Sequence, residues 1–329
     1  MKRRDFVKLS ALTGIGALVS PSMGFSDDNL KLDNTLVGKR IGIIGLDTSH
    51  SQVFTQMINN GEVEGGYRVV AAYAHGSPDI PSALDMKPRI TEAVKGMGVE
   101  IVDSIDELLT KVDFVLLETN DGRPHYEQAL PVLKAGKRMF IDKPIAHSLK
   151  DAERIFQASK KYNTPIFSSS ALRYEDNLVK AKSGVYGKVL GADVYTPAQY
   201  DPHHLDMAWY GIHGVEMLFS LMGTGCEEVI RTHTEGTDVI TGRWKDGRIA
   251  SVRGIRHGAS NIAGTVFCEK SIAPIGPFTT YLPLVKEIIK FFETGVIPFD
   301  PQETVEIFRF MDAADRSRKS KKFEKLYVY

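Results

Sequence analysis

Residues 113–144 decide the fold, and they read DFVLLETNDGRPHYEQALPVLKAGKRMFIDKP. The apolar run at residues 113–117 does not alternate, which predicts a strand buried on both faces of a sheet. Pro124 suits a first helical turn, and apolar residues at helical spacing lead from it to Gly136. A second apolar run, residues 138–141, restarts a strand. The pattern predicts a βαβ unit whose parallel strands point their carboxyl ends at a ligand crevice.

Lys143 follows the second strand of this unit and is the first candidate for chemistry. A lysine in this position can donate to a substrate oxygen or, if burial lowers its pKa, exchange a proton with a hydroxyl. A solvated lysine that simply follows a strand fits the position equally well. The position alone therefore leaves its role open.

Several spaced residues of this unit resemble the Gfo/Idh/MocA family of oxidoreductases, in which a threonine, a histidine and an Ala-Gly-Lys turn precede Glu-Lys-Pro. The matching positions here are Thr119, His125, Ala135-Gly136-Lys137 and Asp142-Lys143-Pro144. The resemblance implies an α/β chain, in which a Rossmann-like doubly wound parallel sheet domain is followed by an α+β domain with a largely antiparallel open sheet. It also implies NAD or NADP as cofactor and Lys143 at the substrate.

The composition is ordinary for a soluble globular protein and favours small-molecule ligands. The 329 residues are 43% hydrophobic and 25% charged, and the 41 Lys and Arg residues balance 41 Asp and Glu residues. No net field therefore attracts nucleic acid or acidic lipid. The two cysteines, Cys226 and Cys268, are too few for a disulfide framework and lack metal-site spacing, although a single bridge between them is possible.

The amino-terminal segment, residues 1–36, is predicted to be an export signal followed by a polar linker. Residues 2–8 read KRRDFVK and resemble a twin-arginine signal, and the apolar stretch at 9–19 is short for a permanent bilayer helix. Cleavage is expected between Ser20 and Ser26. The signal predicts a periplasmic or otherwise exported protein with no stable membrane span after export.

The predicted dinucleotide-binding-like domain, residues 37–168, opens with the strand KRIGIIG at residues 39–45. In the family, the next turn carries the fingerprint G-x-G-x-x-G, and aligning Gly45 with the first glycine puts Asp47 and His50 on the second and third. A carboxylate at Asp47 brings charge to the place where pyrophosphate should lie. The cofactor-binding positions implied by the resemblance are Gly42, Gly45, Asp47, Thr48, His50, Thr119, Asn120, His125 and Asp142.

A second use of the same crevice is a metal or sugar site. Asp47, His50, Glu118 and His125 carry oxygen and imidazole groups that are able to converge on a divalent cation or a sugar. Helix capping by Asp47 and Ser49 explains the turn more simply, and lone histidines are more often packing residues. The sequence therefore assigns no metal site.

The predicted substrate and oligomerisation domain, residues 169–329, contains mostly strand-like runs and ends in two helices. The runs cover residues 189–199, 228–235, 239–244, 249–256 and 262–269, and the helices cover 281–293 and 301–318. The resemblance implies that this sheet is a substrate platform and often an oligomer interface. We therefore expect a homo-oligomer with a small-molecule carbohydrate substrate.

Residues 201–216, DPHHLDMAWYGIHGVE, contain the second candidate for proton transfer. The family shows Asp-x-x-x-His here, on one face of a helix. His213 matches the histidine and Trp209 stands in place of the aspartate, so Asp206 or Tyr210 is a possible substitute. Lys143 and His213 are the predicted acid and base on a sugar hydroxyl. The predicted substrate contacts are Arg173, Tyr174, Trp209 and Tyr210, whereas His203 and His204 are expected in a solvated loop.

Two classes of function compete. The first is an exported Gfo/Idh/MocA-type oxidoreductase that acts on a sugar, polyol or glycoside by NAD(P)-dependent hydride transfer. The alternative is a family member that has lost dinucleotide chemistry and acts as a metal-assisted sugar lyase or hydrolase, or as a sugar-binding protein. Lys143 and His213 favour the first class, whereas Asp47 and Trp209 favour the second. We take the first class as the prediction.

Overall fold

A computed structural model describes residues 38–327, which belong to one compact unit. The predicted export signal and linker lie outside the described residues. Two sheets organise the described part of the chain, and both bear on the candidate site.

The first sheet has six strands that pair in parallel throughout. The strands are β1 (Arg40–Ile44), β2 (Arg68–Tyr73), β3 (Glu100–Val102), β4 (Phe114–Leu117), β5 (Met139–Ile141) and β6 (Ile166–Ser168). Their spatial order is β3-β2-β1-β4-β5-β6. The order reverses between β1 and β4, and ligand crevices form at such a switch point, outside the carboxyl ends of the strands.

Helices cover both faces of this sheet, as a doubly wound fold requires. They are α1 (Ser49–Asn59), α2 (Pro81–Gly96), α3 (Ile105–Lys111), α4 (His125–Lys134) and α5 (Leu149–Lys161). Helices α1 and α2 bury residues such as Phe54 and Val94 in one apolar core, while α3, α4 and α5 contribute Leu108, Val132 and Ile155 to another. Truncating a fully buried phenylalanine such as Phe54 to alanine costs about 3–5 kcal/mol.

The second sheet has seven strands in the order β12-β11-β7-β10-β9-β8-β13. They are β7 (Val189–Pro197), β8 (Cys226–His233), β9 (Thr237–Trp244), β10 (Ile249–Ile255), β11 (Ala263–Cys268), β12 (Ile272–Ile275) and β13 (Glu324–Lys325). Strands β7 and β10 pair in parallel, and the other pairs are antiparallel. The short helix α6 (Asp176–Lys182) precedes β7 in the sequence. The longer helix α7 (Ile212–Met222) lies between β7 and β8.

The last two helices are α8 (Leu282–Thr294) and α9 (Pro301–Ser320), and α8 packs on the first sheet although it follows the second in sequence. Leu284, Val285 and Ile288 of α8 share an apolar core with Ile41 and Phe54. This return places the start of α8 close to the crevice of the first sheet. Among residues 38–327, no helix is both long enough and apolar enough to cross a bilayer.

The predicted fold class is confirmed, because a parallel Rossmann-like sheet is followed by a mixed, largely antiparallel one. The predicted terminal helices at 281–293 and 301–318 correspond closely to Leu282–Thr294 and Pro301–Ser320. The helix expected to carry both Trp209 and His213 begins only at Ile212, so these two positions do not share one helical face.

Candidate active site

Lys143 lies immediately past β5, beside the buried carboxylate of Asp142. Its Nζ donates to Asp142 Oδ2 at 3.2 Å, and its side chain is 11% exposed. Burial opposes the charge of Lys143, but the Asp142 carboxylate outweighs burial and raises the pKa of the lysine. Lys143 is therefore an ammonium at neutral pH, suited to donate to a substrate oxygen rather than to act as a base.

His213 lies in the first turn of α7 and within electrostatic reach of Lys143. Its Nδ1 is 2.7 Å from Ser170 Oγ. Burial, followed by the charges of Lys143 and His50, lowers the pKa of His213 to about 3, so the ring is neutral at physiological pH. When Nδ1–H is donated to Ser170, Nε2 offers a lone pair to a substrate hydroxyl. The structure thus brings the two predicted proton-transfer residues together.

His50 connects α1 to β5 and to the start of α8. Its Nδ1 is 2.9 Å from Asp142 Oδ2, and its Nε2 is 3.1 Å from the hydroxyl of Tyr281. Its ring stacks on Phe54 with centroids 5.2 Å apart. Burial lowers the pKa of His50, although the charge of Asp142 opposes this shift. Sequence reasoning missed Tyr281, which lies 231 residues from His50 and carries no local motif.

Glu118 ends β4 and presents a fully buried carboxylate to this cluster. Within residues 38–327, neither of its carboxylate oxygens has a hydrogen-bond partner, and Oδ1 of Asp142 also has none. Burial, reinforced by the Asp142 charge, raises the pKa of Glu118 well above its usual value. Asp142 shows the opposite shift: burial opposes its charge, but His50 and Lys143 lower its pKa. The two carboxyl groups therefore differ in their affinity for a proton.

Asp47 fills the turn after β1, where the fingerprint would place its second glycine. Its carboxylate is 1% exposed and accepts the main-chain N–H groups of Ser77 at 2.6 Å and Asn120 at 3.0 Å. A Cβ at Gly76 would overlap this carboxylate. Burial raises the pKa of Asp47, and the two N–H groups oppose that rise. The turn does not fit a pyrophosphate in the usual manner, because a buried acidic side chain stands where the fingerprint has its second glycine.

The capping role predicted for Asp47 and Ser49 is wrong. Thr48 is the N-cap of α1, and its side chain accepts the N–H of His50 at 3.4 Å. Asp47 instead connects the loops that follow β2 and β4. Of the four residues that the sequence grouped around a metal, His50 and Glu118 come together, whereas Asp47 does not join them.

Several other predicted cofactor positions build the edge of the sheet. Gly45 has φ +90°, and a Cβ there would overlap the main chain of Thr119. Thr119 Oγ1 donates to Gln128 at 2.8 Å, and His125 lies between the carbonyl oxygens of Thr119 and Ile145, at 2.8 and 3.0 Å. His125 is fully buried in these contacts, so the structure does not place it as a cofactor or metal ligand. Gly42 lies within β1, in packing distance of α3.

The predicted substrate contacts divide into two groups. Tyr210 lies near enough to Lys143 to affect the pKa of the lysine. The centroid of the Trp209 ring lies 5.0 Å from that of the His204 ring. Arg173 is 2% exposed, pairs with Glu303 of α9 and lies over the ring of Phe299. The structure therefore places the side chain of Arg173 in the core, and its role as a substrate contact stays a prediction. Tyr174, the next residue, has a phenol whose pKa burial raises.

The loop before α7 differs from the sequence expectation at two residues. The side chain of His204 is fully buried: Nδ1 is 2.8 Å from Asp201, and Nε2 accepts the N–H of Gly122 at 3.1 Å. The expected solvated loop is therefore wrong for His204. Asp206 pairs with Arg231 at 2.9 Å and Arg318 at 2.7 Å, so it cannot complete a relay with His213. Cys226 and Cys268 are buried free thiols.

Comparison with known proteins gives a family match over the first part of the described chain. Residues 39–169 match the model of a family described as "Oxidoreductase family, NAD-binding Rossmann fold". A myo-inositol 2-dehydrogenase of Thermotoga maritima is 28% identical over 158 residues, which are 43% of this chain and 46% of that protein. An uncharacterized oxidoreductase of Streptococcus pneumoniae is 27% identical over 144 residues, 42% of this chain and 39% of that protein. These alignments span less than half the length of each relative.

Solved structures share the fold over nearly the whole described chain. The scyllo-inositol dehydrogenase of Lactobacillus casei, crystallised with NAD(H) and scyllo-inositol, has a TM-score of 0.70 at 16% identity and covers 87% of this chain and 98% of its own. The myo-inositol dehydrogenase of the same organism, in complex with NAD(H) and myo-inositol, has a TM-score of 0.70 at 17% identity. The match covers 88% of this chain and 97% of that protein. At these identities the likeness shows the fold. The prediction of NAD or NADP is confirmed for the matched family, which is described as NAD-binding.

Proposed function

We propose that this chain is a Gfo/Idh/MocA-type oxidoreductase that interconverts a hydroxyl and a carbonyl on a sugar or polyol by NAD(P)-dependent hydride transfer, and the match of residues 39–169 to an NAD-binding oxidoreductase family supports this. The observation that carries the proposal is that Lys143, just past β5, and His213, in the first turn of α7, are both buried and lie within electrostatic reach of each other. Inositol dehydrogenases among the relatives and structural neighbours support a polyol as the substrate class.

The chain's own residues supply the proton handling in this proposal. Lys143, held as an ammonium by Asp142, donates to the substrate oxygen and stabilises negative charge on it. His213, neutral and hydrogen-bonded to Ser170, takes the hydroxyl proton when the hydroxyl is oxidised and returns it when the carbonyl is reduced. Tyr210 lies within electrostatic reach of Lys143. NAD(P), when bound, supplies the hydride acceptor.

The turn after β1 sets this chain apart from the family fingerprint. A pyrophosphate at this turn meets the charge of the Asp47 carboxylate, which the N–H groups of Ser77 and Asn120 hold in place. This observation favours a second candidate function, in which the chain keeps the fold and binds or cleaves a sugar without a dinucleotide.

Calorimetry separates the two candidates. Under the first, NAD⁺ or NADP⁺ binds to the mature chain, and a panel of inositols and sugars yields dinucleotide reduction that Lys143→Ala abolishes. Under the second, neither dinucleotide binds at millimolar concentration, while a sugar still binds. Binding of a dinucleotide with no turnover of any polyol or sugar would remove the substrate class from the first proposal.

We also propose that the protein is exported by the twin-arginine route and forms a homo-oligomer. The export proposal is supported by the sequence of residues 2–8. The oligomer proposal is supported by large apolar side chains exposed on strands of the second sheet. These are Leu190, Tyr195, Ile249 and Ile272. Sedimentation of the mature chain as a monomer at micromolar concentration would contradict the oligomer.

A further inference from the structure

Three potential metal ligands converge at the carboxyl edge of the first sheet. His50 comes from α1, Glu118 from the end of β4 and Asp142 from the end of β5, and one ligand atom of each lies within 4.8 Å of the others. Two ligands of one transition-metal ion, with bonds of about 2.0–2.2 Å, are at most about 4.4 Å apart, so the widest pair would have to close by at most a few tenths of an ångström. The three side chains therefore stand at a spacing that one ion can bridge.

The hydrogen bonding of this cluster is incomplete. Both oxygens of Glu118 and Oδ1 of Asp142 are buried and without a hydrogen-bond partner among residues 38–327. Buried carboxylate oxygens are almost always paired, because an unpaired buried charge is costly. Lys143 contacts only Oδ2 of Asp142 and does not reach either oxygen of Glu118. The three unpaired oxygens of Glu118 and Asp142 are therefore free to bind a cation.

His50 is oriented as a metal-binding imidazole would be. Its Nδ1 is 2.9 Å from Asp142 Oδ2, close to the roughly 3 Å expected between neighbouring ligands on one ion. Its other nitrogen, Nε2, contacts the hydroxyl of Tyr281 at 3.1 Å. Metal-binding histidines usually donate their second ring N–H to such a partner, which fixes the ring.

We propose that His50, Glu118 and Asp142 bind a divalent transition-metal cation such as Zn²⁺ or Mn²⁺. One imidazole and two carboxylates suit these ions better than Ca²⁺ or Mg²⁺, which favour all-oxygen sites. Three protein ligands leave coordination positions open, as in catalytic metal sites, and one of the three ligands, Asp142, contacts Lys143. The ligand class that can complete the site is a sugar or polyol hydroxyl.

Metal analysis of the mature chain tests the site directly. The chain is stripped with a chelator, and Zn²⁺, Mn²⁺ and Mg²⁺ are then titrated separately by calorimetry, with metal content measured by mass spectrometry. We expect one Zn²⁺ or Mn²⁺ per chain and weaker Mg²⁺ binding. Glu118→Gln should weaken binding by at least tenfold. Glu306→Gln is the matched control, because its carboxylate accepts the N–H groups of Gly225 and Cys226 and is not one of the three ligands.

The variant Glu118→Gln should fold, because it removes an unpaired buried charge and nearly keeps the shape of the side chain. If it does not fold, anomalous diffraction from zinc-soaked wild-type crystals gives an independent answer, with the ion expected within about 2.0–2.2 Å of the three ligands. The proposal is overturned if the wild type binds no ion at millimolar concentration, if Glu118→Gln binds as tightly as the wild type, or if the ion lies elsewhere. Dinucleotide binding is measured separately from ion binding. Failure of the oxidoreductase proposal is therefore distinguishable from failure of the metal site.

Discussion

Replacing Asp47 by glycine tests how the turn after β1 is built. The substitution restores the residue type of the fingerprint and removes the acceptor of the Ser77 and Asn120 N–H groups. A hydrogen bond to a charged group contributes about 1.5–3 kcal/mol, and relief of the buried carboxylate offsets part of that loss. We therefore expect the free energy of unfolding to fall by about 2–4 kcal/mol, as measured by urea denaturation.

The same substitution should change dinucleotide affinity in the opposite direction. It removes a negative charge beside the expected position of the pyrophosphate and frees two N–H donors. An effect on the order of 1 kcal/mol, roughly fivefold in Kd, is expected for a charge pair in a solvated cleft. Calorimetry of wild type and variant with NAD⁺ measures this tightening.

The matched control is Asp79→Gly, which removes a carboxylate that lies in the loop after β2 and pairs with Arg123. We expect no comparable loss of stability from it, because this aspartate is largely exposed. Unchanged stability in Asp47→Gly would refute the role of Asp47 in holding the two loops. Unchanged NAD⁺ affinity in a folded Asp47→Gly variant would refute the idea that its carboxylate occupies the pyrophosphate position.

Three further predictions concern catalysis, pH dependence and export. Lys143→Ala and His213→Ala should each abolish turnover, and full activity in either folded variant removes that residue from the mechanism. Burial raises the pKa of Glu216 from 4.5 to about 7, so its contribution to stability is complete below pH 4.5 and is lost as pH rises through 7. At about 1.4 kcal/mol per pKa unit, the loss in the free energy of unfolding amounts to about 3 kcal/mol. The free energy of unfolding of Glu216→Gln, measured by urea denaturation, should lack this pH dependence. If the variant keeps the pH profile of the wild type, Glu216 is not the group responsible. Replacing Arg3 and Arg4 by lysine should block export, and mature protein still found outside the cytoplasm would count against the twin-arginine route.

The sequence predicted most of the strands because their apolar runs match the requirements of buried parallel strands. Residues 113–117 and 138–141 correspond to β4 and β5, and the position of Lys143 past β5 follows from them. Helix α2 and strand β3 were not predicted. The helix contains Pro88 and buries only three residues, and the strand has three residues, so neither gives a clear periodic signal.

The site was predictable only where a local motif carried it. The Asp-Lys-Pro motif and His213 could be found from spacing, but the pairing of His50 with Asp142 depends on how α1 docks across the sheet. Tyr281 enters the site because α8 returns to the first sheet, a long-range packing event that no local pattern encodes. The burial of Arg173 likewise depends on Glu303, 130 residues away.

The most direct test of the proposed function is native mass spectrometry of the mature protein purified from its own kind of cell, with any released ligand identified. The account predicts a nicotinamide dinucleotide bound at one per chain, or bound on addition of NAD⁺ or NADP⁺ to the stripped protein. A correctly folded protein that carries no dinucleotide and takes up none at millimolar concentration would contradict the account.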